Sequence, residues 1–90
     1  MKSQTTSGFR TLLARLPRHV RDQARRAHQL FLEDPLNRGL RFKQVHASRP
    51  IYSARVGLSY RALGIRDGET VIWFWIGTHA EYDRVLRGDV

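Results

Sequence analysis

Two side chains in the last third of the chain have types and spacing suited to proton transfer. His79 and Tyr82 stand three residues apart, and residues three apart on a helix share one face. Histidine titrates near neutral pH, so it can accept or donate a proton, and a phenol can assist it. A histidine at a helix end is also commonly a plain surface residue, and tyrosine is commonly a half-buried core residue. The pair therefore defines a candidate site and leaves both interpretations open.

Two arginines could add anion binding to this site. Arg55 and Arg61 lie on successive predicted strands around a turn centred near Leu58. A strand pairing centred there places them opposite each other on one face of a sheet. Like charges in that position repel, so an anion bound between them would stabilise the arrangement. A different register, or two side chains that simply reach solvent, would remove the site.

Other kinds of site have little support in the sequence. The four histidines, at positions 19, 28, 46 and 79, have no metal-binding spacing, and there is no cysteine. Neither a glycine-rich phosphate loop nor a Ser-His-Asp signature is present. The sequence therefore predicts neither a metal nor a cofactor.

The stretch that carries His79 and Tyr82 predicts a strand that runs directly into a helix. Residues 73–76 (WFWI) are all apolar, which is typical of a strand buried on both faces. Gly77 permits a turn, and Thr78 with Glu81 matches the capping box that begins a helix. A strand this apolar would be prone to aggregation at a sheet edge. We therefore expect it to lie in the interior of the sheet.

Helices are predicted in the first third of the chain. Ser7 is a candidate N-cap for a helix over residues 8–15, and Pro17 suits the start of a second helix. Asp34-Pro35 should end that second helix, since the residue before proline disfavours the helical conformation. An apolar stripe with helical spacing supports the assignment; it comprises Leu13, Leu16, Val20, Ala24, Ala27 and Phe31.

The remainder predicts a sheet. Strands are expected within residues 40–45, 51–58, 60–65 and 70–76, and Asp67-Gly68 is a strong hairpin signal. Residues 1–6 could form a short edge strand or a frayed tail. The fold class is therefore α+β: an N-terminal helical hairpin packed on a three- to four-stranded antiparallel sheet, with a short C-terminal helix. At 90 residues, we expect a single domain over 1–90.

The charge balance indicates a polyanionic partner. The chain has 16 Lys+Arg against 8 Asp+Glu, for a net charge of +8. Only Lys2 and Lys43 are lysines, so 14 of the 16 are arginines, whose planar fork suits phosphate. A GC-rich genome that favours arginine would give the same composition. With no signal peptide and no apolar run of ~18 residues, the predicted location is cytoplasmic and away from membranes.

Four stretches, in this order, resemble the RelE/ParE superfamily of toxins from bacterial type II toxin–antitoxin modules. Phe9 to Pro17 followed by an arginine-rich helix resembles the family's helical hairpin. The sequences DP at 34–35 and LRFK at 40–43 resemble its link into the sheet. The strands YSARVG at 52–57 and YRAL at 60–63, and the closing element WIGTHAEY at 75–82, complete the resemblance over about residues 8–87.

The resemblance implies a fold and a function. For the RelE branch it implies metal-independent cleavage of mRNA on the ribosome, by attack of a 2′-hydroxyl on the adjacent phosphate. Arg61 would stabilise the transition state, and His79 and Tyr82 would transfer protons or position the base. Phosphate and RNA contacts would come from Arg55, Arg41 and Lys43. An acidic antitoxin would be the partner in a hetero-oligomer. The alternatives are a ParE-like DNA gyrase inhibitor and a non-toxic member of the fold that binds RNA or antitoxin.

Overall fold

The computed structural model describes residues 1–88 and contains three helices, five strands and one 3-10 turn in that range. The helices are α1 (Ser7–Ala14), α2 (Arg18–Glu33) and α3 (His79–Arg87), and the 3-10 turn is Arg38–Leu40. The strands are β1 (Lys2–Thr5), β2 (Lys43–Gln44), β3 (Ile51–Val56), β4 (Tyr60–Asp67) and β5 (Thr70–Thr78). The predicted α+β class is confirmed.

The sheet has the order β1-β5-β4-β3-β2, which corrects the predicted three to four antiparallel strands. It has five strands and is mixed, because β1 pairs in parallel with β5 while the other pairs are antiparallel. Residues Lys2–Thr5 are thus an edge strand, the first of the two alternatives. As predicted, β5 lies inside the sheet, between β1 and β4.

The second strand is much shorter than the pattern of residues 40–45 predicts. Leu40 ends the 3-10 turn, and Arg41 has a φ of 47°, in the left-handed region. A strand cannot continue through that conformation, so only Lys43–Gln44 pairs with β3.

The helical pair forms as predicted, with one difference at its start. Thr6, not Ser7, is the N-cap of α1, and its Oγ1 accepts a hydrogen bond of 3.0 Å from the amide of Phe9. The second helix follows Pro17 and ends at Glu33, directly before Asp34-Pro35. Its apolar stripe packs on the sheet through Ala24, Ala27 and Phe31.

The two faces of the sheet carry separate cores. The face that α1 and α2 cover, called here the helix-pair face, contains the larger apolar cluster, including Phe31, Ala54, Val56, Val71 and Trp73. The opposite face, called here the α3 face, has a smaller cluster of Ile51, Leu63 and Tyr82 with Trp75, Val85 and Leu86 around it. Within residues 1–88, no helix is both long and apolar enough to cross a lipid bilayer.

Candidate anion site on the α3 face

The β3–β4 hairpin places two arginines opposite each other. Arg55 pairs directly with Arg61, and Gly57–Ser59 forms the turn between the strands, as predicted. The turn needs a glycine at position 57, where φ is +60° and an added Cβ would lie 2.4 Å from Oε1 of Gln23 on α2. Residues directly opposite in an antiparallel pair share a face, so both cations lie on the α3 face.

The Arg61 side chain packs closely against its neighbours, and one of its hydrogen-bond donors has no partner among residues 1–88. Its other strand neighbour is Gly77, where a Cβ would lie 2.6 Å from the ring of Trp75. Its guanidinium carbon lies 5.7 Å from the ring centroid of Tyr82. Nη1 of Arg61 is buried and has no hydrogen-bond partner among residues 1–88. A buried donor left unpaired is destabilising, so this nitrogen is well placed to bind an anion.

Among residues 1–88, the Arg55 side chain, unlike that of Arg61, is hydrogen-bonded to the backbone. Its Nε donates a hydrogen bond of 2.9 Å to the carbonyl oxygen of Gly57 in the turn that follows. This bond fixes the side chain near the hairpin turn and leaves its terminal nitrogens for a second anion contact.

Helix α3 begins beside this hairpin. Thr78 is its N-cap, and the capping box is complete: the Glu81 amide donates to Thr78 Oγ1 over 3.2 Å, and the Thr78 amide donates to Glu81 Oε1 over 2.9 Å. The hydrogen bonds from the Thr78 backbone and then from its side chain lower the pKa of Glu81 from its ordinary 4.5. The amide of His79 also donates to the Ser59 carbonyl oxygen over 2.9 Å, which joins the helix start to the turn.

His79 and Tyr82 are neighbours with opposite exposure. Their ring centroids are 5.6 Å apart. The His79 side chain is 56% exposed, and its Nε2 lies 3.8 Å from Oδ2 of Asp83. Tyr82 is only 7% exposed, and its hydroxyl donates over 3.4 Å to Oγ of Ser53, which is fully buried. His79 is therefore open to a substrate, whereas the phenol of Tyr82 is enclosed.

Ser53 is a residue that the sequence analysis missed. The alternation along β3 groups Ser53 with Arg55 on the more polar side of the strand, so the sequence gives no sign that Ser53 is buried. Its burial depends on helix α3, 29 positions away, where Tyr82 donates to it.

The two predicted RNA contacts have different positions. Lys43 pairs with Ser53 across β2 and β3, so it lies on the α3 face with Arg55 and Arg61. Arg41 is exposed and precedes β2, at the end of the 3-10 turn. Among residues 1–88, no three His, Cys, Asp or Glu side chains are grouped so that they could hold a metal ion.

Comparison with known proteins assigns this arrangement to a family. A family model of the ParE-like toxin domain matches residues 18–84. Among solved structures, the RelB–RelE antitoxin–toxin complex of Methanococcus jannaschii is similar, at 23% identity and a TM-score of 0.72, covering 90% of this chain and 96% of that one. YafQ from E. coli is similar at 12% identity and a TM-score of 0.71, covering 90% and 96%.

A third similar structure is the RelBE toxin–antitoxin complex of Mycobacterium tuberculosis, at 28% identity and a TM-score of 0.57, covering 87% of this chain and 96% of that one. No curated protein sequence matches the chain significantly. Because the family model spans well over half of the sequence, the chain belongs to the ParE-like toxin domain family and is a toxin of the RelE/ParE superfamily of toxin–antitoxin systems.

Proposed function

We propose that this toxin is a ribosome-dependent endoribonuclease that cleaves mRNA and so inhibits translation. The observation that carries the proposal is the buried, unpaired Nη1 of Arg61, placed opposite Arg55 and on the same face as the exposed His79. Neither arginine has a carboxylate partner within residues 1–88, and two such cations next to an imidazole suit a phosphodiester whose charge increases in the transition state.

The reaction uses the RNA's own nucleophile. The 2′-hydroxyl attacks the adjacent phosphorus, the new O–P bond forms, and the bond to the 5′ oxygen breaks, which leaves a cyclic phosphate. His79 takes the proton of the attacking hydroxyl, and the departing 5′ oxygen takes a proton from solvent, to which the site is open. Arg61 and Arg55 bind the non-bridging oxygens as their charge increases. No step in this scheme needs a metal or a cofactor.

The remaining cations bind the RNA chain. Lys43 lies on the same sheet face as the two arginines, and Arg41 precedes it along the chain. Such contacts with the sugar–phosphate backbone position a nucleic acid without reading its sequence. A net charge of +8 favours a polyanion as the substrate. In this proposal the polyanion is ribosome-bound mRNA in the cytoplasm.

The test is controlled expression of the wild type and of the Ala variants of Arg61 and His79, with mapping of transcript 5′ ends. We expect growth arrest and new 5′ ends within coding regions for the wild type, and neither for Arg61→Ala. Purified ribosomes programmed with a defined mRNA should reproduce the cleavage in vitro. Growth arrest by both Ala variants at the wild-type level would contradict the proposal.

The family model favours one alternative, because it is named for ParE-like toxins. A ParE-like inhibitor of DNA gyrase would leave transcripts intact, induce the DNA-damage response and change the supercoiling of a reporter plasmid. A non-toxic member of the fold would have no effect on growth at any level of expression. The same induction experiment therefore separates the three functions.

We further propose an acidic antitoxin as the partner, by analogy with the antitoxin–toxin complexes of M. jannaschii and M. tuberculosis. A groove of about 440 Å³ lies between the helical pair and the sheet. Its lining is mainly apolar and includes Phe9, Leu13, Ala24, Ala27, Phe31, Trp73 and Ile76, with Arg21 and Arg25 also present. Arg25 is paired with Asp22, so an amphipathic segment with acidic flanks would fill the groove and pair with Arg21.

The product of the neighbouring reading frame provides the test of this partner. Co-expression should yield a stable complex, and Ala27→Glu, which places a carboxylate in the groove, should abolish it. Gln29→Glu makes the same charge change on an exposed position of α2 and is the matched control. Equal complex formation by both variants would exclude the groove as the binding site.

A further inference from the structure

Ser53 is the one polar side chain that is buried in residues 1–88, with an exposure of 0%. It lies on the α3 face of β3, below helix α3, and its Oγ accepts a hydrogen bond of 3.4 Å from the Tyr82 hydroxyl. A hydroxyl enclosed in this way needs a partner, and Tyr82 is the partner that the fold supplies. The two residues are 29 positions apart in sequence, so the contact fixes the helix on the sheet.

The ring of Tyr82 contacts the site on its other side. Its centroid is 5.7 Å from the guanidinium carbon of Arg61 and 5.6 Å from the ring of His79. Within residues 1–88 the contacts between basic side chains and carboxylates are Asp22–Arg25 and His79–Asp83, so no carboxylate there orients Arg61. The aromatic face is thus the principal group that holds the guanidinium in place.

We infer that the ring of Tyr82 positions Arg61 and that the hydroxyl of Tyr82 transfers no proton. Ser53 accepts the hydrogen bond of the buried hydroxyl, and the face of the ring holds the guanidinium with Nη1 free for a phosphate oxygen. This inference deepens the proposed function and depends on it for the identity of the anion as an RNA phosphate.

Two kinds of variant separate the ring from the hydroxyl. Tyr82→Phe alone would leave the buried Ser53 hydroxyl unpaired, which destabilises the fold for a reason unrelated to Arg61. The double variant S53A/Y82F removes both hydroxyls together and keeps the ring. Tyr82→Leu removes the ring but keeps an apolar side chain, and Tyr82→Met is a second variant of the same kind.

The expected results differ between these variants. The S53A/Y82F protein should cleave ribosome-bound mRNA with a kcat within about twofold of wild type and with an unchanged pH profile. Tyr82→Leu and Tyr82→Met should lose about tenfold, which corresponds to a partly desolvated cation–π contact. Cleavage by S53A/Y82F that falls as far as in Tyr82→Leu, with a shifted pH profile, would show that the hydroxyl transfers a proton and would overturn the inference.

A second measurement does not need cleavage. The Nε–H signal of Arg61 in a ¹⁵N NMR spectrum, assigned with an Arg61→Lys variant, should carry a ring-current shift from Tyr82. That shift should persist in S53A/Y82F and disappear in Tyr82→Leu, and titration with inorganic phosphate should be weaker only in the latter. Persistence of the shift in Tyr82→Leu would overturn the positioning role. If the wild type cleaves no RNA, the proposed function fails, whereas these spectra still decide whether the ring of Tyr82 positions Arg61.

Discussion

Strand β4 carries two arginine–tyrosine pairs, one on each face of the sheet. Arg61 lies 5.7 Å from the ring of Tyr82 on the α3 face, and Arg66 lies 5.4 Å from the ring of Tyr52 on the helix-pair face. The Nε of Arg66 donates to the Gly68 carbonyl oxygen over 3.0 Å, whereas Nη1 of Arg61 is buried with no partner among residues 1–88. The same two side-chain types therefore give a guanidinium that is hydrogen-bonded to the backbone in one place and a buried, unpaired donor in the other.

The two arginine–tyrosine pairs also lie in different surroundings. On the helix-pair face the aromatic rings pack closely: Phe31 lies 5.1 Å from Phe42 and 5.4 Å from Trp73, both edge to face. The α3 face instead places Ser53 and two opposed arginines beside its small apolar cluster. Because successive strand residues point to opposite faces, one strand can supply both the core and the site. We therefore expect stability and activity to respond to substitutions on different faces.

The largest effect on stability should come from the helix-pair face. Phe31 is 1% exposed, so Phe31→Ala leaves a cavity and should lower the free energy of unfolding by about 3–5 kcal/mol. Chemical denaturation followed by tryptophan fluorescence measures this. The neighbouring Leu32 is 47% exposed, and Leu32→Ala should change stability by only about 0.5 kcal/mol.

If Phe31→Ala left the free energy of unfolding unchanged, the conclusion that stability depends on the helix-pair face would be wrong. If the folded fraction of that variant lost its cleavage activity, the conclusion that activity depends on the α3 face would be wrong, since Phe31 is not part of that face.

The next effect should appear in activity with little change in stability. Arg61→Ala removes the open cation and should lower cleavage about 10²–10³-fold, as the loss of one charge-stabilising donor does. The matched variant Arg66→Ala removes an arginine from the same strand and an equivalent tyrosine contact. It should cleave like the wild type, because its guanidinium belongs to the other face.

Parallel kinetics of the two variants on programmed ribosomes decide the point. Equal losses in Arg61→Ala and Arg66→Ala would mean that both act only through general charge, and the distinction between the two arginine–tyrosine pairs would fail.

Much of the fold could be predicted because it depends on short-range signals. The capping box at Thr78 and Glu81, the Asp67-Gly68 turn and the end of α2 before Pro35 each depend on residues within one turn of chain. The opposed pair Arg55 and Arg61 also followed from a local turn. These features need no information about distant parts of the chain.

The parts that could not be predicted depend on long-range contacts. Strand β1 is only four residues long and pairs with β5, where Ser3 also accepts a hydrogen bond from the indole of Trp73, 70 residues away. A register shift between Leu63 and Gly64 leaves Phe74 of β5 without a cross-strand partner on β4 and puts Trp73 and Trp75 on opposite faces of the sheet. Whether Tyr82 is open or enclosed depends on Ser53, and nothing local to either residue indicates that contact.

A smaller effect should come from the cap that fixes α3 over the site. Thr78→Ala removes the side-chain half of the capping box and should lower the free energy of unfolding by about 1 kcal/mol. Thr11→Ala, at an exposed position within α1, is the control and should change it by less than about 0.5 kcal/mol. A Thr78→Ala protein as stable as the wild type would show that the sheet contacts alone fix the helix.

The cap should also make stability depend on pH. The pKa of Glu81 is lowered in the folded state, so its contribution is complete above its ordinary value of 4.5 and is lost as the pH falls through the folded-state value. Glu81→Gln cannot titrate. The stability difference between wild type and Glu81→Gln should therefore shrink as the pH falls below 4.5, and a constant difference would contradict the assignment.

The smallest effect should come from Lys43, the exposed cation at the β2 edge of the α3 face. Lys43→Gln removes one phosphate contact, so the slope of log affinity for RNA against log salt should fall by about 0.7, with affinity about fourfold weaker near physiological salt. Lys2→Gln makes the same change on β1, at the opposite edge of the sheet, and should leave the slope unaltered. Binding of a short single-stranded RNA at several salt concentrations measures both slopes. Equal changes in the two variants would mean that RNA is bound by the protein's overall charge, whereas a change in Lys43→Gln alone places the RNA next to Arg55 and Arg61.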